Sequence, residues 1–154
     1  MYNHAPENYK CPICPAVKGI ENEDTWIKQA DIVYQDKLVT IFIGSKFVKN
    51  NPGHPIIVPN QHYENFYDLP EEVACHIIKI AKKVALALKE ARKCEGVTIA
   101  QNNEPIGDQH AFHYHMHIFP RFSGDELYKN MNDAYVSTQE ERIIYAEGLR
   151  KNLR

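Results

Sequence analysis

The chain alternates short apolar runs with polar breaks over its first sixty residues, then changes to a spacing of three and four. Asp31–Tyr34 and Leu38–Ile43 are β-rich runs separated by Gln35-Asp36-Lys37, which predicts a hairpin. Residues 44–53 (GSKFVKNNPG) form a polar loop closed by the turn signal Asn-Pro-Gly. The run 54–58 (HPIIV) predicts a third strand, and Pro55 and Pro59 place it at a sheet edge or in an interrupted ladder. Pro70-Glu71-Glu72 has the start signals of a helix: a proline in the first turn and acids at the positive end of the dipole. Val73, Ile77, Ile80, Ala81, Val84 and Leu88 then recur at helical spacing, Lys89, Arg92 and Lys93 suit the C-terminal end, and Gly96 is the expected terminator. Residues 97–101 predict a strand, 102–109 a polar loop, and 112–119 a last strand stopped by Pro120. Thr138-Gln139-Glu140-Glu141 matches a capping box and opens a helix over about 138–150.

This order predicts an α+β fold, a five-stranded antiparallel meander sheet with one long helix on a face and a C-terminal helix. The 154 residues make a single domain, with a core over about 11–121 and a C-terminal extension over 122–154. Residues 1–10 are polar and expected to be loosely held, 11–15 form a turn, and 26–30 are too short to assign.

Charge and composition narrow the function classes. Lys and Arg number 18 against 20 Asp and Glu, a formal net charge of −2, which argues against a broad nucleic-acid surface. Apolar runs stay far below the roughly 18 residues of a membrane span. MYNHAPENYK lacks the apolar core of a secretory signal, so a cytoplasmic, reducing setting is expected, where disulfides are rare. Cys75 and Cys94 are then ordinary thiols on or near the long helix.

The informative segment is His113-Tyr114-His115-Met116-His117-Ile118-Phe119, in which three histidines alternate with apolar residues. On a strand, alternation puts the three imidazoles on one face, about 6.6 Å apart, and Tyr114, Met116 and Ile118 on the other. Such a row suits either a metal site or nucleophilic attack by a neutral imidazole on phosphorus. Spacing alone does not separate the two.

The row, preceded by Gln109 and by the Asn102-Asn103 loop, resembles the signature of the histidine-triad (HIT) family of nucleotide hydrolases and transferases. Gly53-His54-Pro55-Ile56-Ile57-Val58-Pro59 followed by His62 resembles that family's G-H-x-L-V-I-P-x-x-H segment. Leu69-Pro70-Glu71-Glu72 resembles the start of its long helix, and Cys11-x-x-Cys14 the cysteine pair of its zinc-binding bacterial branch. The resemblance covers roughly residues 11–121.

It implies a homodimeric nucleotide hydrolase or transferase that cleaves a P–O or P–N bond at the α-phosphate of a nucleoside polyphosphate or phosphoramidate. His115 would be the nucleophile, passing through a covalent nucleotidyl-histidine, with His117 balancing charge in the row. Asn102, Gln109, His110 and His117 would meet the substrate. A structural zinc would be held by Cys11, Cys14, His54 and His113, while His4, His62 and His76 are plain surface or helix residues. Two positions depart from the family pattern: His110 replaces a small hydroxyl residue, and Lys46 replaces the aspartate that accepts from the ribose hydroxyls. The rival functions are a non-catalytic nucleotide-binding or scaffold protein on the same fold, and a hydrolase with a catalytic zinc on its H-x-H pair.

Overall fold

The computed structural model describes residues 2–153. Strands β1 (Ile32–Gln35), β2 (Val39–Ile43), β4 (Pro55–Pro59), β5 (Gly96–Gln101) and β6 (Met116–Arg121) form one antiparallel sheet in the order β1-β2-β4-β6-β5. The first three neighbours meander, but β5 lies outside β6, so the helix between β4 and β5 crosses over the position that β6 fills. Short strands β3 (Lys46–Phe47) and β7 (Tyr135–Val136) pair separately. The helices are α1 (Ile13–Val17), α2 (Glu71–Arg92), α3 (Leu127–Asn130) and α4 (Gln139–Asn152). None of the described helices is long and apolar enough to cross a membrane.

Local chemistry explains the turns. Asp36 Oδ1 accepts from the backbone N–H of Leu38 (2.8 Å) and Val39 (2.9 Å), which closes the β1–β2 hairpin. Helix α2 starts after Pro70 as its proline and acids predict, and every apolar position expected of its inner stripe is buried. It ends at Lys93, which takes a left-handed φ of 51°, while Gly96 opens β5 rather than stopping the helix. Lys89 Nζ makes that ending possible by donating to the carbonyls of Cys94 (3.2 Å) and Glu95 (3.1 Å). Thr138 and Glu141 form the expected reciprocal cap on α4.

Two strand expectations change. Strand β4 is central, between β2 and β6, not at an edge. Its ladder to β6 holds only two residue pairs, Ile56 with His117 and Ile57 with Met116, which is where the terminal prolines leave donors to offer. The last strand begins at Met116, not at residue 112, and runs through Pro120 to Arg121. Residues 113–115 are held by loop contacts instead: the N–H of Tyr114 donates to the Tyr63 carbonyl (2.6 Å).

Helix α2 covers one face of the sheet, packing on Ile41, Ile57, Tyr114, Met116 and Ile118. The opposite face carries the cross-strand row Phe42, Ile56, His117 and Ala100. One wall beside that row is an N-terminal cluster with Ile13, Ala16 and Ile27, and the other packs Val48, Phe119 and Leu127. The C-terminal extension is knitted into the fold. Ala146 and Leu149 of α4 belong to the main core. Arg142 of α4, buried, pairs with the buried Asp31 at 2.9 Å and donates to the carbonyls of Ser137 and Trp26.

Candidate functional site

The three histidines of the run part company because only His117 lies in a regular strand. His113 is buried at the Pro59 end of β4, where its Nε2–H donates to the Pro59 carbonyl at 3.0 Å. That fixes its tautomer and turns a bare Nδ1 toward the N-terminal cysteines: 3.4 Å to Cys11 Sγ and 3.6 Å to Cys14 Sγ. His62 completes the group, with its Nδ1 3.3 Å from Cys14 Sγ. The four donor atoms lie within 4.8 Å of one another.

Here the structure corrects the expected ligand set, because His62 and not His54 stands beside the sulfurs. His54 precedes β4 and His62 follows it. Five extended steps lead from His54 to Pro59, about 17 Å, so His54 cannot reach a cluster built at the Pro59 end. Sequence reading passed over His62. The signal for it was its place three residues beyond Pro59, the residue that anchors His113.

The cluster fits a tetrahedral metal. With Zn–S near 2.3 Å and Zn–N near 2.0–2.1 Å, ligand sulfur and nitrogen stand roughly 3.5 Å apart, as the cysteine and histidine atoms do here. Burial, and then the neighbouring Cys11, push the Cys14 thiol up to about 12, while burial pulls His62 and His113 down, His113 to about 4. A bound cation reverses the thiol cost, since it takes the thiolate form directly.

His54 serves the other end of the row. Its ring stacks on Phe119 with centroids 4.2 Å apart, and its Nε2 lies 3.0 Å from His117 Nδ1, so one proton is shared between the two rings. Its Nδ1 is buried with no partner among the described residues. Burial, with a smaller push from His115, lowers the His54 pKa to about 3, and burial likewise holds His117 well below the usual imidazole range. The unfolded chain takes these protons near pH 6.5. Between there and about pH 3 it therefore binds more protons than the folded chain, and stability, complete above pH 6.5, falls as the pH is lowered. The urea midpoint should drop between about pH 7.5 and pH 5, and His54→Gln should flatten part of that slope. An unchanged slope in the variant would contradict the buried, neutral state of His54.

His115 lies between these ends, its ring centroid 5.0 Å from that of His117. Its Nδ1–H donates to the His113 carbonyl at 2.7 Å, which leaves Nε2 with a free lone pair. Burial, and after it the charge of His110, lower its pKa, so the ring is neutral near pH 7.

The loop 102–110 is braced from within. Gln109 is buried, donating from Nε2 to the carbonyls of Glu64 (2.5 Å) and Ala111 (3.2 Å) and accepting from Glu104 N–H (2.7 Å). Its amide is thus occupied by backbone groups of the loop, of Ala111 and of Glu64. Asn102 donates to the Asp108 carbonyl at 3.2 Å, and His110 is exposed. Lys46, at the position of the missing aspartate, is exposed in the β3–β7 pair.

Comparison with known proteins agrees with this architecture. The HIT domain family matches residues 27–124. An uncharacterized HIT-like protein of Methanocaldococcus jannaschii is 38% identical over 96 residues, covering 62% of this chain and 72% of that protein. Another from Saccharolobus solfataricus is 32% identical over 142 residues, 92% of this chain and 93% of that one. A zinc-bound histidine triad family protein from Mycobacterium smegmatis shares the fold with a TM-score of 0.73 at 24% identity, covering 94% of this chain and 93% of that chain. The chain belongs to the HIT family.

Proposed function

We propose that the protein is a nucleotide hydrolase or transferase that cleaves a P–O or P–N bond at the α-phosphate of a nucleoside polyphosphate or phosphoramidate, with His115 as nucleophile. The observation that carries this reading is the hydrogen bond from His115 Nδ1–H to the His113 carbonyl, 2.7 Å, which leaves a neutral lone pair on Nε2. That lone pair forms the N–P bond as the P–O or P–N bond to the leaving group breaks, the leaving group departing with the electron pair and taking up a proton from solvent. A water then attacks the same phosphorus and returns a proton to solvent, the N–P bond breaks with its electron pair going back to Nε2, and His115 regains its starting state as the nucleoside monophosphate leaves. His117, neutral and sharing a proton with His54, balances the charge that passes through its neighbour. Asn102 and His110, on the loop beside the row, are the substrate contacts in this reading. Turnover of a fluorogenic adenosine phosphoramidate by wild type and His115→Ala tests it.

Cys11, Cys14, His62 and His113 would hold a zinc ion, the metal named for the related M. smegmatis protein. Bound there, it supplies a cross-link between the N-terminal segment and the residue whose carbonyl orients His115. Four protein donors complete a tetrahedron, which favours a structural ion over a catalytic one. His62→Ala should cut bound zinc from about one ion per chain to well under half and lower the melting temperature, whereas His54→Ala should keep its zinc. Metal analysis of the two purified variants checks this, and the reverse pattern would restore the ligand set expected from the sequence.

The resemblance also carries a homodimer. Among the described residues no strand pairs with the outer edge of β5, and Ile99 on it is exposed, which suits pairing with a second copy. We place the protein in the cytoplasm, where thiols such as Cys75 and Cys94 stay reduced. We take residues 11–121 as the core of one domain that the extension completes.

A further inference from the structure

The C-terminal helix reaches the histidine row from behind. Gly53 precedes His54 with a φ of 74°, and a Cβ placed on it would stand 2.2 Å from Tyr145 Cγ and 2.5 and 2.6 Å from the two Cδ atoms. The ring of Tyr145, from α4, therefore presses directly on the backbone one residue before His54. Tyr145 is held in turn. Phe47 meets its ring edge-on, with centroids 5.4 Å apart, and the Arg92 guanidinium carbon lies 4.5 Å from its centroid. Arg92 also donates to the Pro52 carbonyl at 2.6 Å. Residues 52 and 53 are thus gripped between a side chain of α2 and a side chain of α4.

The grip adds to the fastenings of His54 itself, whose carbonyl accepts from the Gly44 N–H at 3.0 Å and whose ring stacks on Phe119. Its imidazole makes one side-chain hydrogen bond, to His117, and its other nitrogen is unpartnered among the described residues. It also has little room: a Cβ on Gly44 would stand 2.8 Å from His54 Nε2. The ring is thus held by its stack on Phe119, its bond to His117 and the path of its backbone out of Gly53. A cavity of about 220 Å³, lined by Gly53 and Tyr145 and by Leu88, Ile144 and Gly148, adjoins the contact.

We propose that Tyr145, locked by Arg92, is a positioning residue for the His54–His117 pair and acts on it through the Gly53 backbone. The inference rests on the part given to His117 in the proposed reaction and extends it by giving the C-terminal helix a share in the site. The contacts that matter are made by the ring, so phenylalanine should serve, while alanine and leucine should not; leucine fills the volume without the flat face.

The test uses the full-length, zinc-loaded protein labelled with ¹⁵N-histidine, alongside turnover of a fluorogenic adenosine phosphoramidate. Wild type and Tyr145→Phe should show the slowly exchanging imidazole N–H shared by His54 and His117. Tyr145→Leu should lose it, and so should Tyr145→Ala where that variant folds. In the variants that lose it, kcat should fall roughly 10- to 100-fold with KM within about twofold, the size expected of a misplaced group at a reacting centre. Retention of the N–H in a folded leucine variant overturns the proposal, and so does its loss with an unchanged kcat. If wild type turns over no phosphoramidate but the N–H still vanishes with leucine and survives with phenylalanine, Tyr145 does position the pair and the proposed reaction is what fails.

Discussion

An Arg142→Ala chain should unfold roughly 6–20 °C below wild type. Arg142 is 3% exposed and Asp31 0% exposed, and the two meet at 2.9 Å. Removing the guanidinium leaves a buried carboxylate whose Oδ1 already lacks a partner among the described residues. Breaking a buried pair from one side typically costs about 3–5 kcal/mol, and in a chain of this size each kcal/mol is worth roughly 2–4 °C. Burial raises the Asp31 pKa even with Arg142 present, so without it the carboxyl should take up a proton on folding. A double variant, Asp31→Leu with Arg142→Met, should recover much of the loss, since an apolar pair of similar volume avoids the desolvation cost. As a control, Lys93→Ala breaks an exposed pair with Glu90 and should change stability by no more than about 0.5 kcal/mol. Thermal denaturation followed by circular dichroism measures all three, and a shift under about 2 °C for Arg142→Ala would show that the clasp contributes little.

The second large effect is on activity. His115→Ala should lower phosphoramidate turnover on the order of 10³-fold or more, because in the proposed reaction it removes the atom to which phosphorus bonds. The loss should appear in kcat, and the variant should keep its zinc, its fold and its affinity for a non-hydrolysed nucleoside monophosphate. His117→Ala should cost less, since His117 acts by charge and proton sharing. Equal turnover in wild type and His115→Ala would leave the family's fold in place as a binding module and remove the catalytic reading.

Much of this was legible in the chain. The stripe of α2, the hairpin at Asp36 and the cap at Thr138 are set by neighbours within four residues, which is the range a pattern can see. The histidine run was legible as chemistry but not as geometry. Alternation implied one row on one strand, whereas the strand starts only at Met116, because the Tyr63 carbonyl and the N-terminal thiols hold residues 113–115 from across the fold. The exchange of His62 for His54 at the metal cluster has the same origin. Both histidines flank β4, and which of them meets the sulfurs depends on the end of the strand that faces His113. The clasp between Arg142 and Asp31 spans 111 residues and leaves no local signal at either end. Nor does Tyr145, which in the sequence is one more aromatic on a helix.

Mass spectrometry of a reaction quenched during turnover looks for the nucleotidyl-histidine itself. A peptide containing residues 113–117 should carry one nucleotidyl group, fragmenting to place it on His115 and absent from His115→Ala. Steady turnover with no such adduct at any quench time, or an adduct on a different residue, would contradict His115 as the nucleophile.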